Sequence, residues 1–78
     1  MTATSEKIFE IILDSNVTST DPTHLVAHLT LQDQGVDSLE RAMILLNIQE
    51  AFGVTFEKTD YPSLQSVDQI VAFLNGVR

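Results

Sequence analysis

Asp33-Gln34-Gly35-Val36-Asp37-Ser38-Leu39-Glu40 is the stretch on which the fold turns. Gly35 allows a sharp backbone turn that a side chain would resist. Asp37 is placed to cap a helix, and Glu40, three residues on, completes a capping-box pair. Apolar residues then run Leu39, Ala42, Met43, Ile44, Leu45, Leu46, Ile48, Ala51 and Phe52, and Gly53 is placed to end the helix. This helix is apolar around more than half its circumference. It is either the centre of a bundle or a helix with an apolar face reserved for a partner or ligand. Ser38 falls in its first turn, at a loop–helix junction predicted to be exposed. A phosphodiester formed on that hydroxyl would sit beside unpaired backbone N–H groups and the positive end of the helix dipole. Taken alone, Asp37 and Ser38 read first as ordinary capping residues, the commonest use of both at helix starts.

Working outward, Val54-Thr55-Phe56 reads as a short extended link that buries Phe56. Lys58 to Leu64 contains Pro62 and can form at most a turn or two of helix. A last helix opens at Ser66, with Gln69 as a second capping-box partner, and carries Val67, Ile70, Val71 and Leu74 as its stripe before Gly76. On the N-terminal side, Ile8, Phe9, Ile12 and Leu13 recur at helical spacing between Ser5 and Asn16. The segment between these helices is a long loop. Asp21-Pro22 suits an N-cap followed by a first-turn proline and predicts a short helical turn reaching His28. Leu25, Leu29 and Leu31 are expected in the core. The fold class that follows is all-α: a small four-helix bundle with a long first loop and a short third helix.

The totals narrow the function. With 78 residues the chain has room for one small core, and residues 1–78 are expected to form a single domain. Eleven acidic residues against four basic ones give a net charge of −7, which repels nucleic acid and favours partners with basic patches. The same acidity would also serve plain solubility. There are no cysteines, which excludes disulfides, thiolate metal sites and a cysteine nucleophile. No apolar run approaches the ~20 residues of a membrane span. The start Met1-Thr2-Ala3-Thr4-Ser5-Glu6-Lys7 lacks the pattern of a signal peptide, so a cytoplasmic location is expected. His24 and His28, four apart, could face one side of a short helix, but no further metal ligands accompany them. A hydrolase reading of Ser38 lacks a glycine elbow, and a calcium loop starting at Asp33 would put Ile44 where glutamate is needed.

Gly35-Val36-Asp37-Ser38-Leu39 resembles the phosphopantetheine attachment motif of the acyl carrier protein family. The resemblance extends from about Leu29 to Leu74. Glu50-Ala51-Phe52-Gly53-Val54 is similar to the end of the family's second helix, and Leu64 through Val67 to Phe73-Leu74 to its last one. It implies that a phosphopantetheinyl transferase joins 4′-phosphopantetheine from coenzyme A to Ser38, with Gly35, Asp37 and Leu39 forming the surrounding motif. The arm's thiol would carry acyl groups as thioesters. The chain itself would be no enzyme, and a monomer is expected. The cargo would find shelter among Leu45, Leu46, Ile48, Phe56, Tyr61, Leu64 and Ile70, residues that equally suit plain core packing.

The chain also departs from the family. Gln34 stands where many such carriers have leucine, so that contact passes to another residue such as Leu31. Met43 and Gln49 occupy positions expected to be glutamate, Arg41 adds a cation, and Glu57 replaces a usual proline. Glu40, Arg41, Met43 and Glu50 are the expected partner-binding residues for acyl-loading and acyl-processing enzymes. The departures point to a dedicated fatty acid, polyketide or related pathway. An aminoacyl or peptidyl carrier of a non-ribosomal pathway, and an unmodified helical interaction module, are the competing readings.

Overall fold

A computed structural model describes residues 3–15 and 22–76. Three α-helices carry the fold: α1 (Ser5–Ser15), α2 (Ser38–Phe52) and α3 (Val67–Gly76). Short 3-10 turns occur at Pro22–His24 and Gln32–Gln34, and a longer 3-10 helix at Lys58–Ser63 forms the short fourth member of the bundle. α1 packs on both α2 and α3. Among the described residues the only strand-like pairing is an isolated antiparallel bridge between Thr30 and Ser66.

The core is what the helical periodicities select. Ile8 and Ile12 come from α1, Ile44, Leu45, Ile48 and Phe52 from α2, and Val67, Ile70 and Leu74 from α3. Leu25, Leu31, Val36, Phe56 and Leu64 close it from the connections. Phe56 meets Phe73 edge-on, with ring centroids 5.5 Å apart and planes at 78°, an arrangement favoured by the ring quadrupoles. The chain start is fastened to α3 by a reciprocal pair: Ala3 N–H donates to Asn75 Oδ1 (2.7 Å), and Asn75 Nδ2 donates to the Ala3 carbonyl (3.2 Å).

The long loop is stitched to the start of α3. Leu31 N–H donates to the Gln65 carbonyl at 2.8 Å, and Asp68 N–H donates to the Ala27 carbonyl at 3.0 Å. Two sequence expectations are corrected here. The turn beginning at Pro22 ends at His24, not His28, because Ala27 and His28 enter a separate turn. Leu29 is 44% exposed. The turn breaks the alternation that would have put Leu29 on the side of Leu31, and the Leu29 carbonyl faces Gln34. Asn16 and Asp21, expected to end α1 and to cap the turn, lie outside the described residues.

At α3 only half of the predicted capping box forms. Ser66 Oγ accepts from Gln69 N–H at 3.1 Å, but Gln69 Oε1 accepts from Gln65 N–H at 2.8 Å, one residue earlier than the motif requires. The 3-10 helix Lys58–Ser63 has its own reciprocal cap between Glu57 and Asp60, contains Pro62 and buries none of its side chains fully. Few apolar anchors and weaker 3-10 geometry are the features of a low-stability element. Its amide protons are expected to exchange well before those of α2. Protection equal to α2 in native-state hydrogen exchange would contradict this.

Candidate functional site

The site is built by the backbone ahead of α2. Gly35 adopts φ 94°, a left-handed conformation that side chains disfavour, and its N–H closes the turn on the Gln32 carbonyl. Val36 then returns to the core, with its N–H on the Leu31 carbonyl at 3.0 Å. Asp37 is extended (φ −77°, ψ 175°) and forms the full predicted capping box. Its Oδ1 accepts from Glu40 N–H at 2.8 Å, and Glu40 Oε1 accepts from Asp37 N–H at 3.1 Å. Each bond satisfies a donor that the helix start would leave orphaned.

Ser38 is the first residue of α2 and is exposed. With Gln32, Gly35, Val36 and Asp37 it lines an open depression of about 390 Å³. A small phosphate-linked group fits these residues: the hydroxyl is accessible, the glycine keeps the approach free of a side chain, and the helix start favours negative charge. No buried polar atom competes for it, since among the described residues no buried side-chain nitrogen or oxygen lacks a partner.

The expected partner residues are not all brought together. Leu39, Met43, Leu46 and Glu50 fall at i, i+4, i+7 and i+11 of α2, one narrow stripe of the helix. Leu39 is 70% exposed, Met43 44% and Leu46 54%, so the stripe is an apolar strip beginning beside Ser38. Arg41 lies on nearly the opposite side of the helix and is partly buried, and Glu40 lies between the two. Leu46 was expected to line a cargo site. That is corrected: the step from the buried Leu45 to Leu46 turns the side chain about 100° around the helix, toward solvent. Leu45, Ile48, Leu64 and Ile70 are fully buried in the core, Phe56 nearly so, and Tyr61 packs at its margin.

Two glutamines carry roles that the sequence did not suggest. Gln49, at a position where glutamate was expected, accepts from Phe56 N–H through Oε1 at 2.9 Å. Its carbonyl also takes the N–H groups of Gly53 and Val54. It therefore fixes the link that brings Phe56 into the core. Gln34, where leucine was expected, binds the loop backbone through its amide, while Leu31 supplies the apolar contact and is fully buried. The side-chain contacts of Gln49 with Phe56 and of Gln34 with Val26 span seven and eight residues of chain, beyond the reach of helical or capping patterns. Among the described residues no group of three or more His, Asp or Glu side chains is positioned to hold a metal ion. None of their helices is long and apolar enough to cross a membrane.

A small all-α bundle with an accessible serine at the capped start of its second helix is the architecture of a carrier domain. The family model described as "Phosphopantetheine attachment site" matches residues 6–74, and the chain belongs to the acyl carrier protein family. Among curated relatives it is similar to "Acyl carrier protein 2, chloroplastic" of Hordeum vulgare, with 27% identity over 74 residues that cover 95% of this chain. The chain spans 57% of that relative's length. Members of that family are carriers, not catalysts, and the matched region is one that holds 4′-phosphopantetheine covalently.

Proposed function

We propose that the chain is an acyl carrier whose arm is joined at Ser38 Oγ, and that it serves a dedicated fatty acid, polyketide or related pathway. The exposure of Ser38 at the capped first turn of α2, inside the matched family region, carries this reading. When attached, the arm supplies a terminal thiol that holds acyl groups as thioesters. The protein's own part is to keep the hydroxyl accessible, to complement the phosphodiester charge at the helix start, and to present a surface to partner enzymes. A cargo chain entering among Leu45, Ile48, Leu64 and Ile70 would have to part side chains already packed against one another. The test is to incubate the protein with a broad-specificity phosphopantetheinyl transferase, coenzyme A and magnesium, and to map the product. One phosphopantetheine on the peptide containing Ser38 is expected; none, or addition elsewhere, rejects the reading. Loading the product with acyl and amino acid panels then separates an acyl carrier from an aminoacyl or peptidyl one.

The partner surface is proposed to lie on α2, with Glu40, Arg41, Met43 and Glu50 as its polar and adaptable members. Met43 sits in the exposed strip with Leu39 and Leu46, where a flexible side chain suits an apolar partner contact. Arg41 is off that strip and acts by opposing basic surfaces. Met43→Glu and Arg41→Val are expected to improve acylation by housekeeping fatty acid enzymes several-fold, Met43→Glu the more. Unchanged acylation in both variants would remove these residues from partner choice.

A further inference from the structure

Gln34 makes four polar contacts with the backbone of the loop ahead of the site. Val26 N–H donates to its Oε1 at 2.7 Å, and its Nε2 donates to the Val26 carbonyl at 3.0 Å. That pair closes a two-bond amide ring of the kind that joins neighbouring strands. The same Nε2 reaches the carbonyls of Leu29 at 3.1 Å and Thr30 at 3.2 Å. With the two Nε2 hydrogens shared among three carbonyls, one side chain thus engages four backbone groups of an otherwise irregular loop. Gln34 itself ends the turn Gln32–Gln34, and that turn leads through Gly35, Val36 and Asp37 to Ser38. Thr30 Oγ1 adds a further tie by accepting from Asp33 N–H at 3.2 Å. Leucine at this position could make none of the four amide contacts.

We propose that Gln34 is a positioning residue for attachment of the arm: by clamping Val26, Leu29 and Thr30 it keeps the turn ahead of Ser38 formed before a transferase arrives. This rests on the assignment of Ser38 as the attachment residue. In the attachment step a bond forms between Ser38 Oγ and the phosphorus that bears the pantetheine arm of coenzyme A. The bond from that phosphorus to the nucleotide phosphate breaks, adenosine 3′,5′-bisphosphate leaves, and the hydroxyl proton passes to a base. Gln34 touches none of the reacting atoms. Its contribution is to the fraction of molecules that present Ser38 in the formed turn. A substrate whose competent state is only partly populated binds more weakly by that fraction. Once bound it reacts normally, so the loss appears in KM and not in kcat.

The experiment compares wild type, Gln34→Leu, Gln34→Glu and a core variant of α1, taken from Ile12→Val and Ile12→Ala to match the Tm of Gln34→Leu. Glutamate keeps the acceptor for Val26 N–H but loses the donors to the three carbonyls. Steady-state phosphopantetheinylation with coenzyme A is measured well below the lowest Tm, together with amide exchange at Val26. Gln34→Leu and Gln34→Glu are expected to raise KM about tenfold, corresponding to a formed turn about a tenth populated, with kcat within about twofold. Val26 exchange should quicken by about tenfold or more in Gln34→Leu, since it follows the open fraction of the turn, while the Ile12 variant keeps the wild-type KM. If the Ile12 variant shifts KM equally, Gln34 is only a stabilising residue and the proposal falls. It falls too if Val26 exchange is unchanged in Gln34→Leu, or if KM is. Failure of wild type to be modified at all would instead remove the Ser38 assignment, and the clamp's role in attachment with it.

Discussion

Ser38→Ala is expected to abolish phosphopantetheine attachment while leaving the fold intact. Attachment needs an oxygen that can form the phosphodiester, and alanine offers none, so the intact mass after treatment with transferase and coenzyme A should equal that of the untreated variant. The fold should hardly respond. Ser38 is exposed, the capping bonds belong to Asp37 and Glu40, and alanine suits the first turn of a helix at least as well as serine does. Surface changes of this kind usually stay within about 0.5 kcal/mol. Asp37 is the informative companion. Its loss removes one half of the capping box and costs about 1 kcal/mol, but the hydroxyl remains. A Ser38→Ala protein that still gains the arm would mean another residue bears it. A Ser38→Ala protein that unfolds would mean the serine is structural.

The contrast between these neighbours explains what could be read in advance. The start and end of α2 were legible because each depends on residues within one turn of chain: Asp37 with Glu40, and Gly53 at φ 66°. The buried members of α1 and α3 followed from 3.6-residue periodicity, since those helices are apolar on one side only. α2 gave no such guidance. It is apolar around more than half its circumference, so its sequence could not divide Leu45 from Leu46, nor show that Leu39 and Met43 stay in water. The loop misled for a different reason. Leucines at 25, 29 and 31 look alike, but the turn at Ala27–His28 and the amide of Gln34 decide which of them faces inward. Contacts such as Gln34 with Val26, or Gln49 with Phe56, join backbone to a side chain seven or eight residues away. No propensity or capping rule encodes them. The placement of Ser38, the proposed attachment residue, was legible because an accessible hydroxyl at a helix start needs only local signals, whereas its proposed role came from the family resemblance. The surface proposed for partners depends on the rotation of α2 against the rest of the bundle, which only packing determines.

That rotation can be tested on adjacent residues. Leu45 has no exposed surface, whereas Leu46 is 54% exposed. Leu45→Ala is expected to cost about 3–5 kcal/mol, the sum of lost transfer energy and a cavity that the surrounding side chains cannot fill. A chain of this length has roughly 4–12 kcal/mol of stability in all. The variant should therefore lose most of its helical signal on mild warming or in low urea, and attachment at Ser38 should fail with it, because the turn and helix start that present the serine would no longer form. Leu46→Ala removes the same atoms from a site already in water. Its midpoint in urea should move little, by the equivalent of about 0.5 kcal/mol or less, and its helical signal should match wild type. The two variants share composition and helix propensity, so any difference between them reports burial alone. Equal losses would place Leu46 in the core and turn the exposed strip of Leu39, Met43 and Leu46 inward. A partner would then have no apolar surface on that side of α2 to meet, and the assignment of Met43 to partner choice would go with it.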